Sequence, residues 1–307
     1  MSRISAARRG RLLRTVAACA VLLALIGYGL AQLLTGGSGA PRCTVRANGQ
    51  SYALSPEQAV NAATISAVGS ARGLPERAVT IALATAMQES GLRNIHHGDR
   101  DSLGLFQQRP TQGWGTARQI TDPVYAAGKF YDHLVEVPGY SRLPLTVAAQ
   151  KVQRSGFPQA YAKHEPDASL LSSALTGRAG GSFSCTTSPA DGKPGDPSAV
   201  RTKLSREFGV GVLPVVAGGG TGGDGRGGAG RTVTVPVQPV PMSAEDGTRK
   251  RGWALASWAV AHAAELRIER VSFGGRVWTA EESKAGWRGS GKSDADSQAV
   301  VRITTVQ

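Results

Sequence analysis

An uncharged run of 20 residues, Thr15 to Leu34, stands directly behind a segment that carries Arg3, Arg8, Arg9, Arg11 and Arg14 and no acid. As a helix, 20 residues extend about 30 Å, the thickness of a bilayer's hydrocarbon core. The pattern predicts a transmembrane anchor over residues 15–34, a basic cytoplasmic segment over 1–14, and export of everything beyond. A cleaved signal peptide, with the protein then secreted, is the alternative. Small-residue sites for it exist at Gly29-Leu30-Ala31 and Ser38-Gly39-Ala40, but the apolar run is long for such a peptide.

The formal charge of +13 invites a nucleic-acid reading, and its distribution argues against one. Residues 43–185 hold 13 basic and 10 acidic residues; residues 186–307 hold 16 and 12. The excess is densest beside the apolar run, where it marks membrane orientation. No nucleic-acid partner is expected.

Export changes the meaning of the cysteines. Cys43 and Cys185 bracket a segment of one domain's size, and in an oxidising compartment a disulfide joining its ends is expected. Cys19 lies within the apolar run, where a cysteine acts as a small apolar residue.

Residues 55–176 read as a set of short helices. Ser55-Pro56-Glu57-Gln58 carries a capping box and a proline at the first helical position, and Gly73 closes that helix. Pro75 opens a second helix that Gly91 stops, and Asp122-Pro123 opens a third. Thr146 to Arg154 and Pro158 to about Ala174 are further helices. Residues 186–231 read as a Gly/Pro-rich linker, because Ala217 to Gly230 contains nine glycines in 14 positions. Beyond it, residues 232–307 read as a small α+β module. Its parts are an edge strand at Thr232–Val237, an amphipathic helix from Gly252 to Leu266, and strands at Ile268–Val277 and Ala299–Thr305.

Chemistry concentrates in Gln88-Glu89-Ser90-Gly91-Leu92 and in Ser102-Leu103-Gly104-Leu105-Phe106-Gln107-Gln108-Arg109-Pro110. A single acid at the end of an Ala-rich helix suits a raised pKa, which a glycosidase acid needs to protonate a leaving oxygen. Gln107 and Gln108 can hydrogen-bond sugar groups, and Gly104 lets backbone approach a ring. The bland alternative is a solvated Glu89 paired with Arg93 one turn on. His96-His97-Gly98-Asp99 reads as a solvated loop, since adjacent histidines rarely share a metal. No metal or other cofactor is expected.

Glu89-Ser90 followed by Gly104-Leu105-Phe106-Gln107 resembles the Glu-Ser and Gly-Leu-Met-Gln pattern of the lysozyme-like soluble lytic transglycosylases. The run Asp101 to Pro110, Trp114-Gly115, Phe130-Tyr131 and Ala148-Ala149-Gln150-Lys151-Val152-Gln153-Arg154-Ser155, closing with Ala160-Tyr161, is similar to an actinobacterial and phage-lysin branch. The likeness covers residues 50–175. It implies a mainly α, lysozyme-like domain over 43–185 that cleaves peptidoglycan glycan strands, with Glu89 as catalytic acid and base. Ser90, Gly104, Gln107, Gln108, Gln153 and Tyr161 would contact substrate. A transglycosylase uses the sugar's own hydroxyl as nucleophile; an inverting lysozyme needs a second carboxylate, for which Asp99 and Asp101 are the candidates. One departure favours the alternative, an inactive wall-binding scaffold: Val152-Gln153 replaces the usual Tyr-Asn pair, leaving Gln153 to stand in for the Asn and no hydroxyl at the Tyr position, with Tyr161 nearby in sequence.

The tail, through Trp253 to Ala263, Gly275-Arg276-Val277-Trp278 and Gly286-Trp287-Arg288, resembles a wall-protein module distantly similar to zinc D-alanyl-D-alanine carboxypeptidases. Its relatives end in a His-rich strand, but here residues 293–301 hold no histidine and only His262 follows the linker. A zinc site needs at least three good ligands, so the module is expected to be non-catalytic.

Overall fold

A computed structural model describes residues 40–154, 158–187, 192–213, 229–237, 244–290 and 299–307, with residues 16, 19–22 and 27 of the N-terminal segment. The expected anchor over 15–34 falls largely outside them. Among the described residues no helix is long and apolar enough to cross a membrane.

The first local structure is a hairpin that the helical reading passed over. Strand β1 (Cys43–Ala47) turns back into β2 (Gln50–Leu54) through Asn48-Gly49, both at positive φ. Asn-Gly supplies the left-handed conformations that a two-residue turn demands. β3 (Phe183–Cys185) joins the other edge of β1, with Cys43 opposite Cys185, and the two are disulfide-bonded.

Between these strands run the helices. α1 (Pro56–Ala71) carries the reciprocal capping box of Ser55 and Gln58. α2 (Glu76–Ser90) ends on Gly91 in the left-handed region. α3 (Ala117–Ile120) precedes α4 (Pro123–Val135), which is capped by Asp122. α5 (Leu145–Gln153) follows. The single helix expected from Pro158 is instead a 3-10 stretch, Pro158–His164, and then α6 (Glu165–Leu175). α1 and α4 meet at Gly69, where a Cβ would lie 2.8 Å from the Tyr131 hydroxyl, which donates to Ile65 O.

Two expectations for the second half are corrected. Part of the supposed linker folds as α7 (Pro197–Phe208), whose Val200, Leu204 and Phe208 are buried. Eight of the nine glycines that suggested a linker lie in residues 214–228, outside the described set. The expected amphipathic helix runs earlier, as α8 (Ala244–Ala261), and residues 252–263 are buried on every side. Their partners include α1, α6, β3 and the strand β5 (Ile268–Phe273). At Gly252 a Cβ would lie 1.9 Å from the Phe273 ring, so the helix reaches the sheet only because this residue has no side chain.

The one long strand expected at Ile268–Val277 is likewise two. Gly274-Gly275, both at positive φ, turn β5 into β6 (Arg276–Thr279). With β4 (Thr232–Pro236), β7 (Arg288–Gly289) and β8 (Val300–Thr305) the sheet has the order β4-β8-β5-β6-β7. β4 is an edge strand, as Pro236 requires. The fold is therefore mixed helix and sheet, and Pro41–Gln307 forms one compact unit.

Candidate functional site

Glu89 occupies the last turn of α2, next to the left-handed stop at Gly91. The chain beyond is tied to α1: Gln58 Nε2 donates to Gly91 O and Asn61 Nδ2 to Leu92 O, both at 2.8 Å. Leu92 itself is buried at positive φ. The position of Glu89 is thus fixed by a helix end and two side-chain anchors.

The second segment comes to Glu89 as a tight loop. Leu103 and Gln108 exchange backbone hydrogen bonds at 3.0 Å, which closes residues 103–108. Gly104 sits at φ 75°, where a Cβ would stand 2.5 Å from Ile120 O. Leu105 and Phe106 point into the core, with Phe106 stacked on Phe130 at 4.7 Å. Ser90 Oγ donates to Leu105 O at 2.8 Å and so locks the loop to the end of α2.

Tyr161 closes the arrangement. Its ring is fully buried, and its hydroxyl donates to Glu89 Oε1 at 2.6 Å. Gln153, at the end of α5, donates from Nε2 to Phe106 O at 2.7 Å. Burial pushes the Glu89 carboxyl above its ordinary value, while the Tyr161 hydroxyl and the Gln153 amide pull the other way. Glu89 is partly buried, and among the described residues it forms no ion pair with Arg93. Gln88 meets His164 Nε2 at 3.1 Å beside it, and burial lowers the pKa of His164.

The remaining expected contacts divide. Gln107, at φ 47°, is partly exposed, and its amide donates to Gly104 O at 3.2 Å. Gln108 is turned inward: it is 2% exposed and donates to Ala126 O at 3.1 Å. That side chain holds α4 to the loop. Asp101 is equally committed. It accepts from Arg109 Nε at 2.6 Å and from Thr111 N and Oγ1 at 3.0 and 2.7 Å, which hold its pKa far below the ordinary carboxylate range. Asp99 is exposed beside Arg100.

A second polar cluster, which sequence reasoning did not reach, lies between α7 and α8. His262 is fully buried, with Nδ1 3.1 Å from Glu265 Oε2 and Nε2 3.7 Å from Glu207 Oε2. Trp258 Nε1 donates to buried Glu207 at 2.8 Å, and Lys203 reaches both acids. Burial depresses the pKa of His262, but the two carboxylates outweigh it and the net shift is upward. Among the described residues no three His, Cys, Asp or Glu are placed to hold a metal ion.

A family model described as the C-terminal domain of VldE matches residues 196–300. The match opens on Asp196, the N-cap of α7, and closes on Val300, where β8 begins. It covers about a third of the chain and does not include Glu89 or its neighbours. No curated protein matches the chain.

Proposed function

We propose that the protein is a membrane-anchored, extracytoplasmic enzyme that cleaves peptidoglycan glycan strands, with Glu89 as general acid and then base. One observation carries the reading: a partly buried carboxyl with a raised pKa accepts a hydrogen bond from a buried tyrosine hydroxyl. Burial favours the protonated carboxyl, which can then deliver its proton to the glycosidic oxygen. The carboxylate formed then takes the proton of the attacking hydroxyl. Tyr161 also answers the departure at Val152-Gln153, because a tyrosine hydroxyl reaches the acid from the 3-10 stretch instead of from α5.

The commitment of Asp101 to Arg109 and Thr111 favours an intramolecular hydroxyl as nucleophile over a water held by a second carboxylate. The Cys43–Cys185 disulfide suits an oxidising compartment and supports export. The inactive scaffold reading draws on Gln108, which faces the core and not the expected substrate side. Incubating the protein and Glu89→Gln with purified peptidoglycan separates the two. The enzyme reading requires soluble fragments from wild type and about 100-fold fewer from the variant. Sedimentation of both proteins with undigested wall, and no fragments, would replace it with the scaffold.

A further inference from the structure

A cleft of about 340 Å³ opens where α8 meets α1, the start of α2 and the chain after α6. Glu89 stands at the other end of α2, about 20 Å along the helix axis. The volume is at the small end of the range for small-molecule sites, about 300–1,000 Å³. Leu74, Val79 and Ala254 give the cleft an apolar lining, and Ser70, Lys250 and Arg251 give it polar groups. Glu76 and Arg178 also reach it, but they close on each other through two hydrogen bonds of 2.8 Å. That pair brings no net charge and leaves a ligand no free arginine there.

Arg251 differs. It is partly buried, Nη1 donates to Ser70 Oγ at 2.7 Å, and the guanidinium lies over the Phe208 ring, 4.9 Å from its centroid. A ring on one face of the guanidinium plane leaves the N–H groups along its edges uncovered. Among the described residues no carboxylate pairs with Arg251, and Ser70 is the acceptor it has. Burial lowers its pKa, and no neighbouring charge offsets that. A desolvated cation without a counter-ion is costly. Ser70 supplies an oxygen but no charge, whereas an anion entering from the cleft supplies both.

We propose that this cleft binds a small monocarboxylate with a compact apolar body. The carboxylate would lie along the free edge of Arg251, and the body against Leu74, Val79 and Ala254. One unpaired guanidinium matches one carboxylate in charge and in its fork of donors. A phosphate dianion calls for a second fixed cation, and Lys250 is exposed and solvated. The site is separate from Glu89 and does not require glycan cleavage.

The test is calorimetric titration of the full chain, in lipid nanodiscs at neutral pH. The probe is 4-methylpentanoate; 4-methylpentanamide, acetate and orthophosphate are the comparisons. The probe should bind at millimolar concentration. It should bind at least about tenfold more tightly than the amide, which lacks the charge, and than acetate, which lacks the body. It should exceed orthophosphate by about as much. Arg251→Gln should weaken the probe by at least about tenfold in a chain that still melts cooperatively. No probe binding at millimolar concentration would overturn the proposal, as would equal affinity for the amide, acetate or orthophosphate. These comparisons use wild type and stand whether or not the variant folds. Full affinity in folded Arg251→Gln would overturn it as well.

Discussion

The Cys43–Cys185 disulfide closes a loop with a sequence separation of 142, and its removal should be felt mainly in the denatured state. In the chain-entropy treatment a loop of this length raises the unfolded free energy by about 5 kcal/mol at 25 °C. That is a third or more of the 5–15 kcal/mol by which a domain is ordinarily stable. The native state should survive the loss. Thr186 N still donates to Arg42 O at 2.8 Å, and Arg46 N to Ser182 O at 2.9 Å, so β1 and β3 remain paired without the sulfur bridge. Replacing both cysteines by alanine should therefore lower the urea midpoint by the equivalent of about 3–5 kcal/mol. It should also steepen the transition, because the denatured chain expands once uncrosslinked. Tryptophan fluorescence reports the melt, since Trp253, Trp258 and Trp278 are buried. A loss below about 1 kcal/mol with unchanged steepness would refute the entropic argument.

Three further outcomes follow from the same geometry. Glu89 has a raised pKa, so its ionisation opposes folding, and its stabilising share is lost as pH rises through the folded pKa. Glu89→Gln should accordingly be more stable than wild type at neutral pH and equal to it below pH 4.5, measured by urea melts; a variant less stable at pH 7 would contradict the burial argument. Gly104→Ala should lose at least about 2 kcal/mol, from left-handed strain and the 2.5 Å approach to Ile120 O; a loss under about 0.5 kcal/mol would mean the loop yields freely. The His262 cluster should stabilise most between pH 4.5 and 6.5. His262, raised, contributes fully below 6.5 and fades as pH climbs through its folded value; Glu265, lowered to about 2, contributes above 4.5 and fades as pH falls towards 2. A pH series on His262→Gln should lack the fall above 6.5, and a wild type equally stable from pH 5 to about 9 would exclude the shift.

Much of the helical half was legible because its signals are local. The capping box at Ser55 and Gln58, the proline starts at Pro56 and Pro123, and the stop at Gly91 each act within one turn of chain. Asn48-Gly49 was equally local, and its hairpin could have been read from the dipeptide alone. The errors came where burial is set by distant partners. Nothing in the sequence near Trp253 announces that α8 packs against α1, α6 and β5 together, so a helix with residues 252–263 buried reads there as an amphipathic one. At the site, the spacing of Glu89 and Gly104 was visible, but the meeting of Tyr161 with Glu89 spans 72 residues. The inward turn of Gln108 likewise depends on Ala126 O, an acceptor supplied by another helix.

The most direct test of the account reads the chemical ends of the fragments released from peptidoglycan by wild type and by Glu89→Gln. Mass spectrometry should find anhydro-sugar ends, formed when the substrate's own hydroxyl attacks, and their disappearance in the variant. Reducing ends, or fragments released equally by both proteins, would contradict a single-carboxylate mechanism at Glu89.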